Sequence, residues 1–352
     1  MVLQKLRIRN FRGFEEFNTS RLNRFTLVAG ENNVGKTTLL EAIFMLSGMR
    51  LMDMCARING MRQMEVVRET DLHSIFYAQD VGKEVFIAGD FEKGNSCTLT
   101  FRSFVSRTAQ FQPLQAANAS MMGANLRTSF KQSYQTLSYG KITGGGDLFF
   151  KSDSEGVLRE FTQDSGVTPW TCIYIPSKYF LNGVDNLKHL IVNKQDDCIL
   201  KAMQRIDDRI KRLVVNGDKV FVDTGLKGLI PLQLLGDGLT KIVNALAAVR
   251  VVGKGGLVCL DEIDNGLHFS AMQIFWDELT TFANERDVQI VATTHDLDFV
   301  NAVGAMRDED CRRQFSYLKL ARRTVDGKSV VQAYPYDYAQ YASALESGVE
   351  LR

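Results

Sequence analysis

The sequence has few of the features that mark metal-binding, secreted or membrane proteins. Its six cysteines form no Cys-x-x-Cys pair and have no histidines nearby at metal-ligand spacing, which argues for reduced thiols. No apolar run approaches the roughly 20 residues of a membrane span. The first ten residues alternate charged and apolar side chains, unlike a signal peptide. We therefore expect a cytoplasmic protein that does not associate with membranes.

Charge of one sign is also lacking. Lysine and arginine number 42 and aspartate and glutamate 41, so no overall basic field indicates a nucleic-acid-binding protein. Any DNA-binding surface would have to be a local patch. The 352 residues are 45% hydrophobic, which is enough for one large domain or two to three ordinary ones.

A glycine-rich segment, GENNVGKTT, lies between a predicted buried strand at residues 25–29 and the helical pattern LLEAIFML. It fits G-x-x-x-x-G-K-[ST], whose main-chain N–H groups surround phosphate oxygens at a helix N-terminus. A glycine turn without a ligand is the alternative, and the strand and helix on either side disfavour it. The predicted nucleotide-binding residues are Gly30, Asn32, Asn33, Gly35, Lys36, Thr37 and Thr38. Lys36 would reach the β- and γ-phosphates, and the Thr37 hydroxyl would ligate Mg²⁺.

Two carboxylates follow the apolar run LVCL. A buried strand in an open α/β sheet presents its C-terminal end to the ligand. Asp261 is therefore predicted to hold Mg²⁺, and Glu262 to orient or deprotonate the water that attacks the γ-phosphate. The alternative, an acidic helix cap after a strand, is weakened by the lysine loop upstream.

His295 follows a further predicted strand at residues 288–293. Taken alone, such a histidine is more often a surface or structural residue. With both phosphate-site motifs present, we predict that it hydrogen-bonds a γ-phosphate and senses its departure.

The stretch LLGDGLTK at residues 234–241 precedes the apolar helix pattern IVNALAAV. Gly236, Asp237 and Gly238 are consistent with a helix cap, or with half of an active site shared between two chains.

The remaining segments predict less. Residues 10–23 suggest a turn-rich connection, residues 84–102 a hairpin, residues 106–135 a surface excursion and residues 171–176 a buried strand. Residues 185–215 predict one or two helices, with Arg205, Arg209 and Arg212 on one face. A solvated helix face is the main interpretation of these arginines, and a DNA-contacting stripe is the lesser one.

GENNVGKT, LLGDGLTK, LVCLDEID and VATTHD, in that order, resemble the P-loop, signature, Walker B and switch-histidine elements of ABC-type ATPases. IRNFRGF, DEIDNGLH and the ending YPYDYAQYASALESGVELR resemble the RecF/SMC-like branch, nearest to small AAA-15 or OLD-like ATPases, whose relatives include ATPase subunits of anti-phage defence systems. The resemblance implies an α/β fold with a mixed or parallel central sheet. Its parts would be an ABC-type ATPase head at 1–50 and 215–352, a β-rich lobe and surface insertion at 51–176 that belong to the head, and a short helical lobe at 177–214.

The resemblance also implies that ATP lies between two heads arranged head to tail. Gly236, Asp237 and Gly238 would then contact the γ-phosphate bound to the other protomer's Lys36, and Asp264 would make a crossing contact. Asp237 departs from the serine that many ABC proteins carry, which removes a hydroxyl donor and adds negative charge near phosphate.

Several residues keep two interpretations. The Q-loop candidates are Gln79, Gln112 and Ser177. For His268, a helix-opening polar residue is as good an interpretation as a functional one, and Arg12 is either near nucleotide or a surface arginine in a turn.

The function implied is an ATP-hydrolysing switch, a homodimer or a higher even-numbered oligomer, coupled to a separate effector such as a nuclease or toxin, or to DNA, in anti-phage defence. The chain leaves no room for the second, metal-dependent domain of OLD-like nucleases, so we expect any nuclease to be a separate protein. The alternative is a RecF-type DNA repair clamp or loader. A small-molecule phosphotransferase is the weakest hypothesis, because such kinases do not need LLGDGLTK or TTHD.

Overall fold

The computed structural model describes residues 1–47, 73–106, 127–138, 141–152, 158–160, 170–177, 181–349 and 351. The strands are β1 Leu3–Phe11, β2 Phe14–Thr19, β3 Phe25–Gly30, β4 Val85–Phe91, β5 Asn95–Ser106, β6 Arg127–Ser138, β7 Lys141–Ser152, β8 Leu158–Glu160, β9 Cys172–Ile175, β10 Arg212–Asn216, β11 Lys219–Asp223, β12 Ile230–Pro231, β13 Leu257–Leu260, β14 Gln289–Thr293, β15 Phe315–Val325 and β16 Lys328–Asp337. The helices are α1 Lys36–Met45, α2 Leu181–Val192, α3 Asp197–Ile206, α4 Asp237–Val252, α5 Phe269–Glu285, α6 Leu297–Gly304, α7 Glu309–Arg313 and α8 Tyr338–Glu346. Short 3₁₀ turns occupy Tyr77–Gln79, Glu92–Gly94 and Leu232–Leu235.

A six-stranded mixed sheet forms the centre of the molecule, in the order β16-β15-β3-β14-β13-β9. β16 is antiparallel to β15, and the other neighbours are parallel. Every residue of β3, β13 and β14 is buried, because strands covered on both faces must be apolar throughout. The strands predicted around residues 25–29, 171–176, 256–260 and 288–293 and the α/β fold class with a mixed sheet are confirmed.

A seven-stranded antiparallel sheet, β2-β1-β4-β5-β6-β7-β8, lies beside it, and β10-β11-β12 make a third, smaller sheet. The predicted hairpin at 84–102 is confirmed by β4 and β5. The turn-rich connection predicted for residues 10–23 is wrong for residues 14–19, where Phe14, Phe17 and Thr19 are buried and the segment pairs with β1 as strand β2. The surface excursion predicted for 106–135 is wrong from residue 127, where β6 begins, and residues 107–126 lie outside the described residues.

Hydrophobic cores lie on both faces of the central sheet. Alternate side chains of β3 point in opposite directions, so that Phe25, Leu27 and Ala29 enter one core and Val28 enters the other. The first core is filled by the helices after residue 185, and the second by α1 and the antiparallel sheet. α1 is therefore held between two sheets, which fixes the position of its N-terminus.

The helices predicted for residues 185–215 are α2 and α3, but the predicted arginine face does not form. α3 ends at Ile206 because Asp207 is extended (φ −139°), which leaves Arg209 in a loop and Arg212 in β10. Each guanidinium pairs with a carboxylate: Arg205 with Glu278, Arg209 with Asp207 at 2.8 Å and Arg212 with Asp223 at 3.0 Å. No single helix face therefore presents these three charges to DNA.

Within the described ranges, no helix has the length and apolar character needed to cross a bilayer.

Candidate functional site

The sequence motifs meet at one edge of the central sheet. β3, β14, β13 and β9 are parallel, so the residues that follow them lie at the same edge. These are the loop at 31–35 after β3, Asp261 and Glu262 after β13, and His295 shortly after β14. β14 lies between β3 and β13, so the lysine loop and the acidic pair face each other across one strand.

The loop before α1 depends on glycine at two positions. Gly30 has φ +150° and Gly35 has φ +109°, both outside the range that L side chains adopt readily. A Cβ on Gly35 would lie 2.6 Å from the Phe14 ring, and one on Gly30 would lie 2.3 Å from the Leu320 carbonyl oxygen. The main-chain N–H groups of residues 35–37 donate to no acceptor within the described part of the chain. Unpaired N–H groups at a helix N-terminus suit an anion.

Lys36 is buried, with 9% of its surface exposed. Its ammonium donates to the carbonyl oxygens of Gly30 at 2.7 Å and Glu31 at 2.9 Å, and so lies across the loop. Burial lowers the pKa of Lys36, and the negative charge of nearby carboxylates, foremost Asp261, opposes that shift. A phosphate group could replace the two carbonyls as partner without moving the lysine far.

Asp261 is buried and accepts hydrogen bonds from three hydroxyl groups. Thr37 Oγ1 lies 3.0 Å and 3.2 Å from its two oxygens, Thr293 Oγ1 donates to Oδ1 at 2.7 Å, and Tyr174 Oη donates to Oδ2 at 3.4 Å. The residues predicted to hold the metal, Thr37 and Asp261, are thus in contact although 224 positions separate them. A hydroxyl and a carboxylate converging in this way provide the hard oxygen ligands that Mg²⁺ prefers.

Glu262 has a left-handed backbone, with φ +47°. Its N–H donates to Thr293 Oγ1 at 2.8 Å, and its carbonyl oxygen accepts from the Lys241 ammonium and from the Asn265 N–H at 3.1 Å. The Glu262 side chain is partly exposed, while the main chain on both sides is held.

His295 lies beside the same loop. Its side chain is 45% exposed, and its Nδ1 lies 3.5 Å from Oδ2 of the buried Asp264. The other carboxylate oxygen of Asp264 has no hydrogen-bond partner among the described residues. Asp264, which the sequence resemblance implied for a crossing contact, thus lies against His295 of its own chain.

Gly236, Asp237 and Gly238 begin α4. Gly236 is the N-cap, with φ +104°, and no side chain caps this helix. The helix-cap interpretation of this stretch holds for Gly236, whereas the Asp237 carboxylate is exposed and makes no capping hydrogen bond. No hydrogen bond within the described residues joins these three positions to the loop at 30–37. Within one chain, the start of α4 therefore packs against the loop after β13 and makes no hydrogen bond to the loop before α1.

Arg12 and His268 can be placed by their partners. Arg12 Nε lies 2.8 Å from Oε2 of Glu41 on α1, and both side chains are largely buried, so Arg12 is not a surface residue. His268 is the N-cap of α5, where its side chain accepts a hydrogen bond from the Ser270 N–H. Its role as a helix-opening polar residue is observed.

The Q-loop candidates are separated by the structure. Ser177 follows β9 and lies at the motif edge of the sheet, next to the end of β13. Gln79 ends a 3₁₀ turn before β4. Gln112 lies outside the described residues.

Sequence reasoning missed Lys241, Thr293 and Tyr174 as members of this site. Lys241 and Thr293 lie within motif stretches already singled out, so their position was a signal for both. Tyr174 had none, because its contact with Asp261 depends on β9 pairing beside β13.

Comparisons with known proteins identify related chains. A family model described as "AAA domain, putative AbiEii toxin, Type IV TA system" matches residues 100–301, more than half of the chain. A second model, described as "AAA ATPase domain", matches residues 1–165. A protein of Helicobacter pylori named "ATP/GTP phosphatase" is 23% identical over 342 residues, which cover 89% of this chain and 90% of the relative.

Solved structures with a similar course of the chain include heads of SMC proteins. An SMC head bound to the C-terminal winged-helix domain of ScpA is 12% identical, with a TM-score of 0.49 over 96% of this chain and 99% of that one. The SMC head domain of Thermotoga maritima is 14% identical, with a TM-score of 0.40 over 96% and 99%. Both identities are below that of the Helicobacter pylori relative.

Proposed function

The chain belongs to the family of AAA domains described as "AAA domain, putative AbiEii toxin, Type IV TA system", and from that premise we propose an ATP-driven switch that closes as a head-to-tail homodimer. It is a P-loop ATPase of the AAA-15 kind, in keeping with its two family matches and its phosphatase relative. We propose further which residues bind ATP and Mg²⁺, that two copies of the chain close around the nucleotide, and that this closure acts on a separate effector.

One observation carries the catalytic part of the proposal. The hydroxyl of Thr37 lies 3.0 Å from the carboxylate of Asp261, so two motifs that are 224 residues apart meet at one potential cation site. When bound there, Mg²⁺ would neutralise charge on the β- and γ-phosphate oxygens. Thr37 and Asp261 would hold it, directly or through water.

The other residues of this edge would act on the γ-phosphate side. Gly30, Asn32, Asn33, Gly35 and Thr38 would shape the loop around the phosphates, with main-chain N–H groups directed inward. Lys36 would exchange its carbonyl partners for phosphate oxygens. Glu262 would orient the attacking water and accept its proton, and His295, braced by Asp264, would hydrogen-bond the departing phosphate.

In the proposed dimer, a second copy of the chain would supply the rest of the ATP site. The N-terminus of α4 is exposed at Gly236 and has no side-chain cap, so its N–H groups are available for the γ-phosphate bound to a second copy. Beside it, the Leu234 side chain is 75% exposed, as expected for a surface that a partner covers. Asp237 brings a negative charge to the same place, which would weaken closure.

The effector part of the proposal is supported by the family description, which names a putative toxin of a toxin–antitoxin system. We propose that the opening and closing of the dimer controls a separate nuclease or toxin, or the binding of DNA, in anti-phage defence. The pairing of Arg205, Arg209 and Arg212 with acids weighs against the RecF-type clamp, which would need unpaired basic charge facing duplex DNA.

The variant Glu262→Gln tests both the proposed role of Glu262 in hydrolysis and the closure of the dimer. The amide keeps the size of the side chain but cannot accept the proton, so ATP should bind normally while turnover falls about a hundredfold or more. Size-exclusion chromatography with light scattering, with ATP and Mg²⁺ present, should show the variant accumulating as a dimer. The ATPase assay and the size-exclusion measurement use the same protein preparation, so turnover and oligomeric state can be compared directly.

Lys36→Ala is the companion variant and should lose nucleotide binding and remain monomeric. If Glu262→Gln stayed monomeric in ATP and turned over at the wild-type rate, the proposed mechanism would be wrong. Slow turnover without a dimer would leave the assignment of Glu262 standing and refute the head-to-tail closure.

A further inference from the structure

Lys241 is a buried cation in the middle of the site. It lies in the second turn of α4, with only 1% of its surface exposed. Burying an ammonium group is unfavourable unless it is paired and hydrogen-bonded. Burial lowers the pKa of Lys241 to about 8, while the negative charges of Asp264, Glu262 and Asp261, in that order, oppose the shift. An apolar residue at this helix position would avoid the cost.

The ammonium of Lys241 donates to the carbonyl oxygen of Glu262. Glu262 has a left-handed backbone, which a residue with a side chain adopts only when its surroundings impose it. Its N–H is held by Thr293 and its carbonyl by Lys241, so that the peptide groups before and after the residue are both fixed. Together with the Asn265 N–H, which donates to the same carbonyl oxygen at 3.1 Å, these contacts hold the main chain from which the carboxylate extends.

A second contact joins the same helix to the same loop. Gly238, three residues before Lys241 on α4, packs so closely on Gly266 that a Cβ would lie 2.2 Å from the Gly266 carbonyl oxygen. Residues three apart share a helix face, so Gly238 and Lys241 hold the loop between Asp261 and Gly266 from one side. A movement of the N-terminus of α4 therefore reaches the main chain of Glu262 directly.

We propose that Lys241 is a positioning residue, which orients the carboxylate of Glu262 by holding its main-chain carbonyl and thereby links the start of α4 to the group that activates water in the same chain. This inference rests on the proposed function, because it assigns Lys241 to act through Glu262. Lys241 itself need not touch nucleotide or water.

The test compares Lys241→Met with Lys241→Arg. Methionine keeps the length and loses the hydrogen bond, so kcat should fall about tenfold to a hundredfold, the cost of a small misplacement of a catalytic group. The affinity for a fluorescent ATP analogue should change less than about twofold, because the phosphate loop is untouched. Arginine keeps a donor and should recover most of the lost kcat. Lys254→Met, at an exposed lysine beyond α4, is the matched control and should match wild type.

Lys241→Met removes the positive charge beside the buried carboxylates of Asp261 and Asp264, so a loss of stability is expected, and the assays are run at a temperature at which each variant is folded. A thermal melt of each variant checks this. If Lys241→Met kept wild-type kcat, or lost nucleotide affinity in proportion to kcat/KM, the inference would be refuted.

A double variant then tests the route through Glu262. In Glu262→Gln, adding Lys241→Met should lower the residual single-turnover rate no further, because the carboxylate it orients is already gone. Additive losses would overturn the inference. A normal rate for Glu262→Gln alone would instead overturn the proposed function, so the two failures can be told apart.

Discussion

At the scale of single residues, Thr293 holds the acidic pair together. Its hydroxyl donates to Asp261 Oδ1 at 2.7 Å and accepts from the Glu262 N–H at 2.8 Å, so one oxygen atom orients the metal-binding candidate and the proposed base. A hydroxyl can do both because it carries one donor and two acceptor positions. Valine has the same shape and neither function.

We predict that Thr293→Val leaves the Glu262 main-chain N–H unpaired and removes the shorter of the two hydroxyl contacts of Asp261 Oδ1. The free energy of unfolding should fall by about 2 kcal/mol, within the usual range for an unsatisfied buried group, and kcat should fall at least about tenfold. Urea denaturation and a steady-state ATPase assay measure the two effects.

Thr293→Ser keeps the hydroxyl and should retain most of the activity. Thr280→Val removes another buried threonine hydroxyl, on α5, and should affect stability without lowering kcat. Equal losses of kcat in the variants at positions 280 and 293 would show that the effect is general destabilisation.

At the scale of elements, the close approach of α4 to the loop after β13 is the feature that needs glycine. The Cα of Gly238 lies against the main chain of Gly266, and no flexible side chain can give way there. The requirement for glycine at this position is therefore steric, in addition to any contact with nucleotide.

Gly238→Ala should push α4 and the loop apart. We predict a loss of about 1–3 kcal/mol in the free energy of unfolding, as for other overpacked positions, and a fall in kcat because the loop carries Glu262. Gly228→Ala serves as the control, because a Cβ there meets no atom within 4 Å. A Gly238→Ala variant with wild-type stability would contradict the packing described here.

At the scale of the whole molecule, Gln289 links the two large sheets by hydrogen bonds. Gln289, on β14 of the central sheet, accepts from the Leu3 N–H at 2.8 Å and donates to the Leu3 carbonyl oxygen at 2.9 Å. The same side-chain nitrogen also donates to the Asn23 carbonyl at 3.0 Å. The N-terminal strand of the antiparallel sheet is thereby fixed to the sheet that carries the site.

Gln289→Leu should leave these buried main-chain groups without their amide partner. We predict a loss of about 2 kcal/mol or more in the free energy of unfolding, measured by urea denaturation. Gln195→Leu, at an exposed glutamine, should change stability by less than about 0.5 kcal/mol. Equal stability of the two variants would mean that the sheets are joined by apolar packing alone.

The sequence predicted the motif residues because each lies next to a strong local pattern. Lys36, Asp261 and His295 follow apolar runs that could only be buried strands, and parallel strands bring their carboxyl ends to one edge. The arginine face failed for the opposite reason. No residue pattern near Arg205 predicts that α3 ends at Ile206. The helix ends there because the backbone of Asp207 is extended.

The sequence by itself therefore determined the buried strands, the glycine-rich loop before α1 and the order of the motifs, since these depend on neighbours along the chain. Only the tertiary structure decided which distant groups meet. Lys241, Thr293 and Tyr174 reach the acidic residues from three separate elements, and no periodicity in one segment encodes a contact with another. The buried Lys241 lies in an apolar helix pattern, and its partner, the Glu262 carbonyl, is identified only when the helix packs against the loop after β13.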